Sequence, residues 1–292
     1  MRRILLLALP LLLLGAVEAA GPQRPLAVAT FYPLYEFTRR VAAGRFGVRQ
    51  LVPAGMEVHH YEPTPRDLLL LRRTRVLFYN GAGLEPWVEK LRPELPKDVL
   101  LVNTTEGLPL LRPRPGAAVD PHVWLDPVLA QEQVERIRAG LSRADPEGSE
   151  VYRRNARRIR AELAALHERF RERLRRCRTR TFITAHAAFG YLARRYGLEM
   201  IPITGLAPEA EPSPAKIREV VRLARRYGVR VVYFESPPTR RIAEAIAREV
   251  GAHTAVLHPL ETLHPEEQNR GRTYFTVMAE NLRQLAHGLE CR

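Results

Sequence analysis

A chain of 292 residues is long enough to bury one large core or two of ordinary domain size, and two are expected here. Its formal charge of +14 comes from abundant Arg with hardly any Lys, which reads as a compositional habit rather than a designed patch. Charge alone therefore does not make the chain a nucleic-acid binder.

Residues 1 to 20 begin with Arg2 and Arg3 and run through an apolar stretch from Ile4 to Val17 to the small residues Ala19 and Ala20. That is the layout of a secretory signal, with cleavage expected near Ala19 or Ala20. The apolar run is shorter than the roughly twenty residues a membrane span needs. No Cys adjoins it, which argues against a lipid-anchored mature N-terminus. The expectation is a soluble protein in a periplasm-like compartment, where RNA is not a partner.

The periodicity after this segment predicts strands at Leu26 to Thr30, Val48 to Val52, Val76 to Tyr79 and Val99 to Asn103. Helices are predicted between them at Tyr32 to Ala43, Arg66 to Arg73 and Leu84 to Leu91, and a loop at Pro53 to His60. Thr104 to Ala118 is a Pro- and Gly-containing connection without periodicity, and Pro127 to Ser142 is helical. Beyond the long stretch from Glu147 to Arg176 the alternation resumes. Strands are predicted at Thr181 to Thr184, Glu199 to Ile203, Arg230 to Phe234 and His253 to Leu257. The helices of this half are predicted at Ala187 to Tyr196, Ala215 to Tyr227, Thr239 to Val250 and Arg272 to Leu289, with a loop at Thr204 to Pro214. Short strands alternating with helices predict an α/β fold, with two similar parallel-sheet lobes. The expected division is a signal at 1–20, an N-terminal lobe at 21–145, a linking helix at 146–176 and a C-terminal lobe at 177–292.

In the long stretch Tyr152, Ala156, Ile159, Leu163, Leu166, Phe170 and Leu174 recur at three- or four-residue steps, on one face of a helix. Asp145-Pro146-Glu147 suits its start, and Arg173, Arg175 and Arg176 suit its negative end. About thirty residues at about 1.5 Å each make a rod of roughly 45 Å. Its arginines read as solvated faces, and the helix as a strut between the lobes that permits only modest hinge or tilt motions. Cys177, at its end, and Cys291 can pair in an oxidising compartment or remain unrelated thiols, and both readings stay open. Their spacing does not suit a structural zinc site.

No nucleotide fingerprint is visible. The histidines carry the chemistry instead. In open parallel sheets ligands bind where loops leave the C-terminal ends of strands. His59 follows the second strand, while His186 and His258 directly follow strands of the second half. His122 sits in a frame set by Asp120-Pro121 and Asp126-Pro127. Four histidines at loop positions, split evenly between the lobes, point to a metal. Four imidazole nitrogens would fill tetrahedral zinc coordination without an open position, which means binding rather than hydrolysis. His60 is ambiguous because it adjoins His59. His167, off the apolar stripe, reads as solvated; His264 and His287 read as surface residues and His253 as structural.

At HHYEPTPRDL, FYNGAGLEPW, DPHVWLDP, HAAFGYLARRYGL, GLAPEAEPSPAKI, VVYFESPPT and IAREVGAHTAVLHPLE the sequence resembles the metal-binding subunits of zinc and manganese ABC importers, over nearly the whole mature chain. The resemblance implies two α/β lobes bridged by one long helix, with a metal in the cleft between them. It places His59, His122 and His186 among the ligands. The third position is often Glu in manganese-type relatives. The fourth ligand position, in VLHPLE, is usually Asp in the family and is His258 here. His258 is the expected fourth ligand, with Glu57, His60 or water as alternatives. Nitrogen-rich donors favour Zn(II) over Mn(II). Glu235, Asp126 and Glu211 are candidates to orient the rings.

The function so implied is capture of a divalent metal by a monomer, with delivery to a membrane permease powered by a separate ATPase. The alternatives are a manganese-type protein of the same family, a secreted zinc hydrolase, and an adhesin or storage protein using the same site. HExxH is absent, so a hydrolase would need Glu57 or Glu62 as its base.

Overall fold

The computed structural model describes residues 24–112, 116–208 and 211–292; the signal-like segment 1–20 lies outside them. Two four-stranded parallel sheets form the frame. The first contains β1 (Leu26–Ala29), β2 (Gly47–Gln50), β3 (Val76–Tyr79) and β4 (Leu100–Asn103), in the order β2-β1-β3-β4. The second contains β5 (Thr181–Thr184), β6 (Glu199–Pro202), β7 (Val231–Phe234) and β8 (His253–Val256), in the order β6-β5-β7-β8. The two orders are the same, as the repeated strand–helix alternation predicts. β3 (VLFY) and β5 (TFIT) are wholly buried, as strands covered by helices on both faces must be.

The helices of the first half are α1 (Tyr32–Ala42), α2 (Pro65–Leu71), α3 (Trp87–Leu91) and α4 (Pro127–Ala144). Then come α5 (Ser149–Arg173), α6 (Gly190–Tyr196), α7 (Pro214–Tyr227), α8 (Pro237–Val250), α9 (Pro265–Asn269) and α10 (Tyr274–Gly288). α8 starts two residues before the predicted Thr239, because Pro237 occupies the first turn, where its missing N–H costs no bond. α9 was not expected. It is nucleated by His264, whose N–H donates to Glu267 Oε2 at 3.0 Å in a capping box.

The linking helix α5 is shorter than the predicted 146–176. Pro146–Gly148 form a 3-10 turn in front of it, held by Asp145 accepting from the Gly148 N–H. The whole apolar stripe is buried, Tyr152, Ile159, Leu163, Leu166 and Phe170 completely. Burying each large apolar side chain contributes about 1.5–3 kcal/mol. The exposed Arg153–Glu150 and Arg171–Glu168 pairs on the outer face contribute at most about 1 kcal/mol each. The stripe, not the charge, fixes the helix. His167 departs from expectation: it is half-buried, with Nδ1 3.1 Å from the Tyr196 hydroxyl.

One continuous apolar core crosses from lobe to lobe. It joins Phe31 and Phe37 of the first half to Leu257, Leu260 and Tyr274 of the second. Trp124 sits fully buried at the crossing, with its ring centroid 4.6 Å from that of Phe31. α10 is tied back to the first lobe where the Tyr274 N–H donates to Glu36 Oε2 at 2.8 Å. A carboxylate there also meets the positive end of the α10 dipole.

Cys177 and Cys291 are joined in a disulfide across 114 residues of sequence, fastening the end of the linking helix to the C-terminal segment. A crosslink over so long a loop restricts the unfolded chain strongly. Cys291→Ser is expected to lower the free energy of unfolding by about 2–5 kcal/mol. Denaturant unfolding of the oxidised protein and the variant measures this, and a loss under about 1 kcal/mol would mean that the core alone holds the helix end.

Candidate metal centre

Both sheets direct their C-terminal edges at the cleft between the lobes, and the residues leaving those edges are polar. The β2 exit leads through Leu51 and Val52 into the loop carrying His59. His122 lies beyond β4, at the start of a 3-10 turn, Val123–Leu125. β5 ends two residues before His186, and β7 ends immediately before Glu235. These two strands are neighbours on either side of the point where the strand order reverses, the usual place for a ligand in an open α/β sheet.

Four donors converge. One ligand atom each from His59, His122, His186 and Glu261 lie within 4.8 Å of one another. Glu261 Oε1 is 3.2 Å from His59 Nε2, 3.1 Å from His122 Nε2 and 3.3 Å from His186 Nε2. The Nε2 atoms of His122 and His186 are 3.3 Å apart. His122 and His186 are fully enclosed, and Glu261 is 8% exposed.

The outer ring nitrogens are fixed by carboxylates. His122 Nδ1 lies 2.8 Å from Asp120 Oδ1, which also accepts the His122 backbone N–H at 2.9 Å. His186 Nδ1 lies 2.7 Å from both carboxylate oxygens of Glu235. A carboxylate can only accept, so each Nδ1 carries the hydrogen, and in the neutral ring the Nε2 lone pair is left facing inward. Nε2 lone pairs and a carboxylate oxygen held about 3.2 Å apart repel unless a cation lies among them. In the metal-free protein that cation is a proton. Burial opposes charge on His186, yet Glu235 and Glu261 overcome it and raise its pKa to about 10. His122 is raised likewise, its hydrogen bonds to Asp120 and Glu261 outweighing burial. Burial also favours a neutral Glu261, but the three histidines, His186 foremost, hold its carboxyl well below the ordinary value.

The structure brings His59, His122 and His186 together and does not bring in His258. The chain is turned there: Leu260 is buried in the left-handed region at φ 63°, a conformation costly for a branched side chain. His258 Nδ1 accepts the Leu260 N–H at 2.9 Å, and Asn281 of α10 brackets the His258 backbone on both sides. Desolvation and the positive charge of Arg272 push His258 down to about 4. The turn thus points its ring into the protein and presents residue 261 to the cleft. Trp124 steadies the turn from the other lobe, its Nε1 donating to the Pro259 carbonyl at 2.7 Å.

Glu57, one alternative for the fourth position, accepts the His59 N–H at 3.0 Å instead. Burial and then the charge of Glu261 raise its pKa. His60 is exposed and outside the group of four. Of the residues expected to orient rings, Glu235 does so, and Asp120 shares the task. Asp126 instead caps α4 through the Val128 N–H and pairs with Arg195 of α6 at 2.8 Å. Glu211 is exposed in its loop. Glu261 ends the VLHPLE motif, so the motif located the segment; only the turn inside it decided which residue faces the cleft.

The lobes also touch above the site. The Gly55 N–H donates to Thr262 Oγ1 at 2.7 Å, and a Cβ at Gly55 would lie 2.5 Å from the His264 ring. That ring is exposed and can swing aside, so the left-handed backbone of Gly55, φ 87°, sets the cost of a side chain. Gly55→Ala is expected to destabilise the protein by about 1–2 kcal/mol. Thermal unfolding measures it, and an unchanged midpoint would mean the loop relaxes freely.

Comparison with known proteins gives a consistent picture. Residues 27–288 match the family model described as zinc-uptake complex component A, periplasmic. The high-affinity zinc uptake system protein ZnuA of Bacillus subtilis is 37% identical over 289 residues, 94% of this chain and 90% of that protein. The zinc-binding lipoprotein AdcA of Streptococcus pneumoniae is 37% identical over 275 residues; the match spans 88% of this chain but only 54% of AdcA. Among solved structures, the Zn(II)-bound ZnuA-like domain of AdcA superposes with a TM-score of 0.82 at 37% identity, covering 91% of this chain and 99% of that one. The laminin-binding protein Lmb of Streptococcus agalactiae, described as a bifunctional adhesin and metal transporter, gives a TM-score of 0.84 at 32% identity, covering 91% and 100%. These relatives are named for metal uptake, binding or adhesion, not for catalysis.

Proposed function

Because the chain belongs to the family of periplasmic zinc-uptake component A, we propose that it captures Zn(II) outside the cytoplasm and hands it to the membrane permease of an ABC importer. The observation that carries this reading is the inward-facing set of His59, His122, His186 and Glu261. Donors about 2.0–2.1 Å from a tetrahedral zinc lie about 3.3–3.4 Å from one another. The spacings of 3.1–3.3 Å between Glu261 Oε1 and the three Nε2 atoms fit that polyhedron with little adjustment. Three nitrogens and one oxygen suit zinc, whereas manganese favours oxygen-rich, higher-coordinate sites. Four protein donors leave no place for an activated water, which favours binding over the hydrolase alternative. Asp120 and Glu235 keep the rings aimed and in the ligating tautomer.

Because ligands come from both lobes, loss of metal leaves only protons to balance their mutual repulsion. Release to the permease is thereby coupled to the lobe contact at Gly55 and Thr262. Titration of metal-free protein with Zn(II) and Mn(II) by calorimetry tests the reading. One equivalent of zinc is expected to bind, at least about a hundredfold more tightly than manganese. Absence of stoichiometric zinc binding, or a preference for manganese, would overturn it.

A further inference from the structure

At the other end of the C-terminal lobe lies a groove of about 1110 Å³ that the metal centre does not use. Arg230 and His253, at the starts of β7 and β8, line it, so it opens on the strand edge opposite the cleft. Four residues of strand, about 13 Å, separate the two ends. α5 contributes Arg169 and Arg173 one turn apart, and α10 contributes Arg283 and His287 one turn apart. Arg292 closes the rim, its N–H donating to the Arg176 carbonyl at 3.0 Å beside the disulfide. The acidic groups lining the groove are Glu172 and Glu290, and Glu290 is paired with Arg178 at 2.9 Å.

Some surface arginines pair with carboxylates, as Arg40 does with Glu162 and Arg225 with Glu249, while others, such as Arg154 and Arg157, have no such partner but line no shared concavity with the groove. Arg169, Arg173, Arg230 and Arg283 make no side-chain hydrogen bond or ion pair with any described residue. Three separate elements, α5, β7 and α10, thus bring unpaired guanidinium groups to one concavity. Guanidinium forks match phosphate oxygens in pairs. No Phe, Tyr or Trp lines the groove, so nothing there would stack on nucleobases. We infer that this groove is an anion site for a soluble ligand carrying clustered phosphates, independent of the metal centre. Its concavity favours a ligand that enters it over a flat lipid surface, although a lipid headgroup offers the same phosphate chemistry.

Inorganic tripolyphosphate, titrated into the full chain by calorimetry at about 50 mM salt, is the probe. Saturable binding of one equivalent is expected, weakened at least tenfold by Arg230→Ala with Arg283→Ala. The control pair Arg154→Ala with Arg157→Ala removes the same charge from α5 outside the groove and should leave affinity within twofold. All four residues are exposed, so circular dichroism should show all variants folded. Equal weakening by both pairs would reduce the effect to net charge and overturn the site, as would absence of saturable binding. Binding to phosphatidylglycerol vesicles without any response to tripolyphosphate would overturn the soluble-ligand assignment.

Discussion

Glu261→Ala is expected to weaken zinc binding at least about a hundredfold, while His258→Ala leaves it within about threefold. Removing a partner that merely orients a metal-bound histidine costs about ten- to a hundredfold, so loss of a donor sets the higher bound. Glu261 is the one negative charge at the centre of three imidazoles, 3.1–3.3 Å from each Nε2. Without it the zinc would keep three neutral donors and take a water. His258, three residues earlier, has its Nδ1 engaged by the Leu260 N–H and is not in the group of four. Its truncation should appear as lost stability, because its half-buried ring accepts the Leu260 N–H and supports the turn. Chelator competition measures both affinities. The reverse pattern, with His258→Ala weak and Glu261→Ala unaffected, would restore the four-histidine site that the sequence suggests.

Zinc affinity is expected to keep rising with pH well above the ordinary imidazole range. Only a neutral ring ligates, and in the metal-free protein Glu235 and Glu261 hold the His186 proton up to about pH 10. His122 is raised in the same direction. Zinc arriving at pH 7 therefore displaces one or two protons, and affinity should rise about ten- to a hundredfold per pH unit between pH 7 and 9. Calorimetry in buffers of different ionisation enthalpy counts the protons released. A flat profile above pH 7 would show that the rings are already neutral.

The same shifts bear on stability without metal. A raised His186 contributes stability that is complete below 6.5 and is lost as pH rises through about 10. A depressed Glu261 contributes stability present above 4.5 and lost as pH falls through its lower folded value. The cluster should therefore support metal-free protein best between about pH 4.5 and 6.5. Bound zinc takes the place of the proton, so the alkaline loss should vanish from thermal melts of loaded protein.

Much of this was legible in the linear chain because it is periodic. The alternation of apolar runs predicted two parallel sheets, and the stripe from Tyr152 to Phe170 predicted a linking helix, whose stripe is buried along its length. The family resemblance separated His59 from His60, and position at strand exits and in a Pro-framed turn drew attention to His59, His122 and His186 together with His258. Glu235 was legible as their companion for the same reason. What the sequence could not supply depends on turns and on contacts between distant segments. A single left-handed residue, Leu260, decides that Glu261 rather than His258 enters the cleft, and no periodic pattern marks such a residue. Trp124 reaching Pro259, the joining of Cys177 to Cys291, and the gathering of unpaired arginines from α5, β7 and α10 each require segments more than fifty residues apart to meet. Local preferences reach only a few residues along the chain, so those meetings exist only once the lobes have packed.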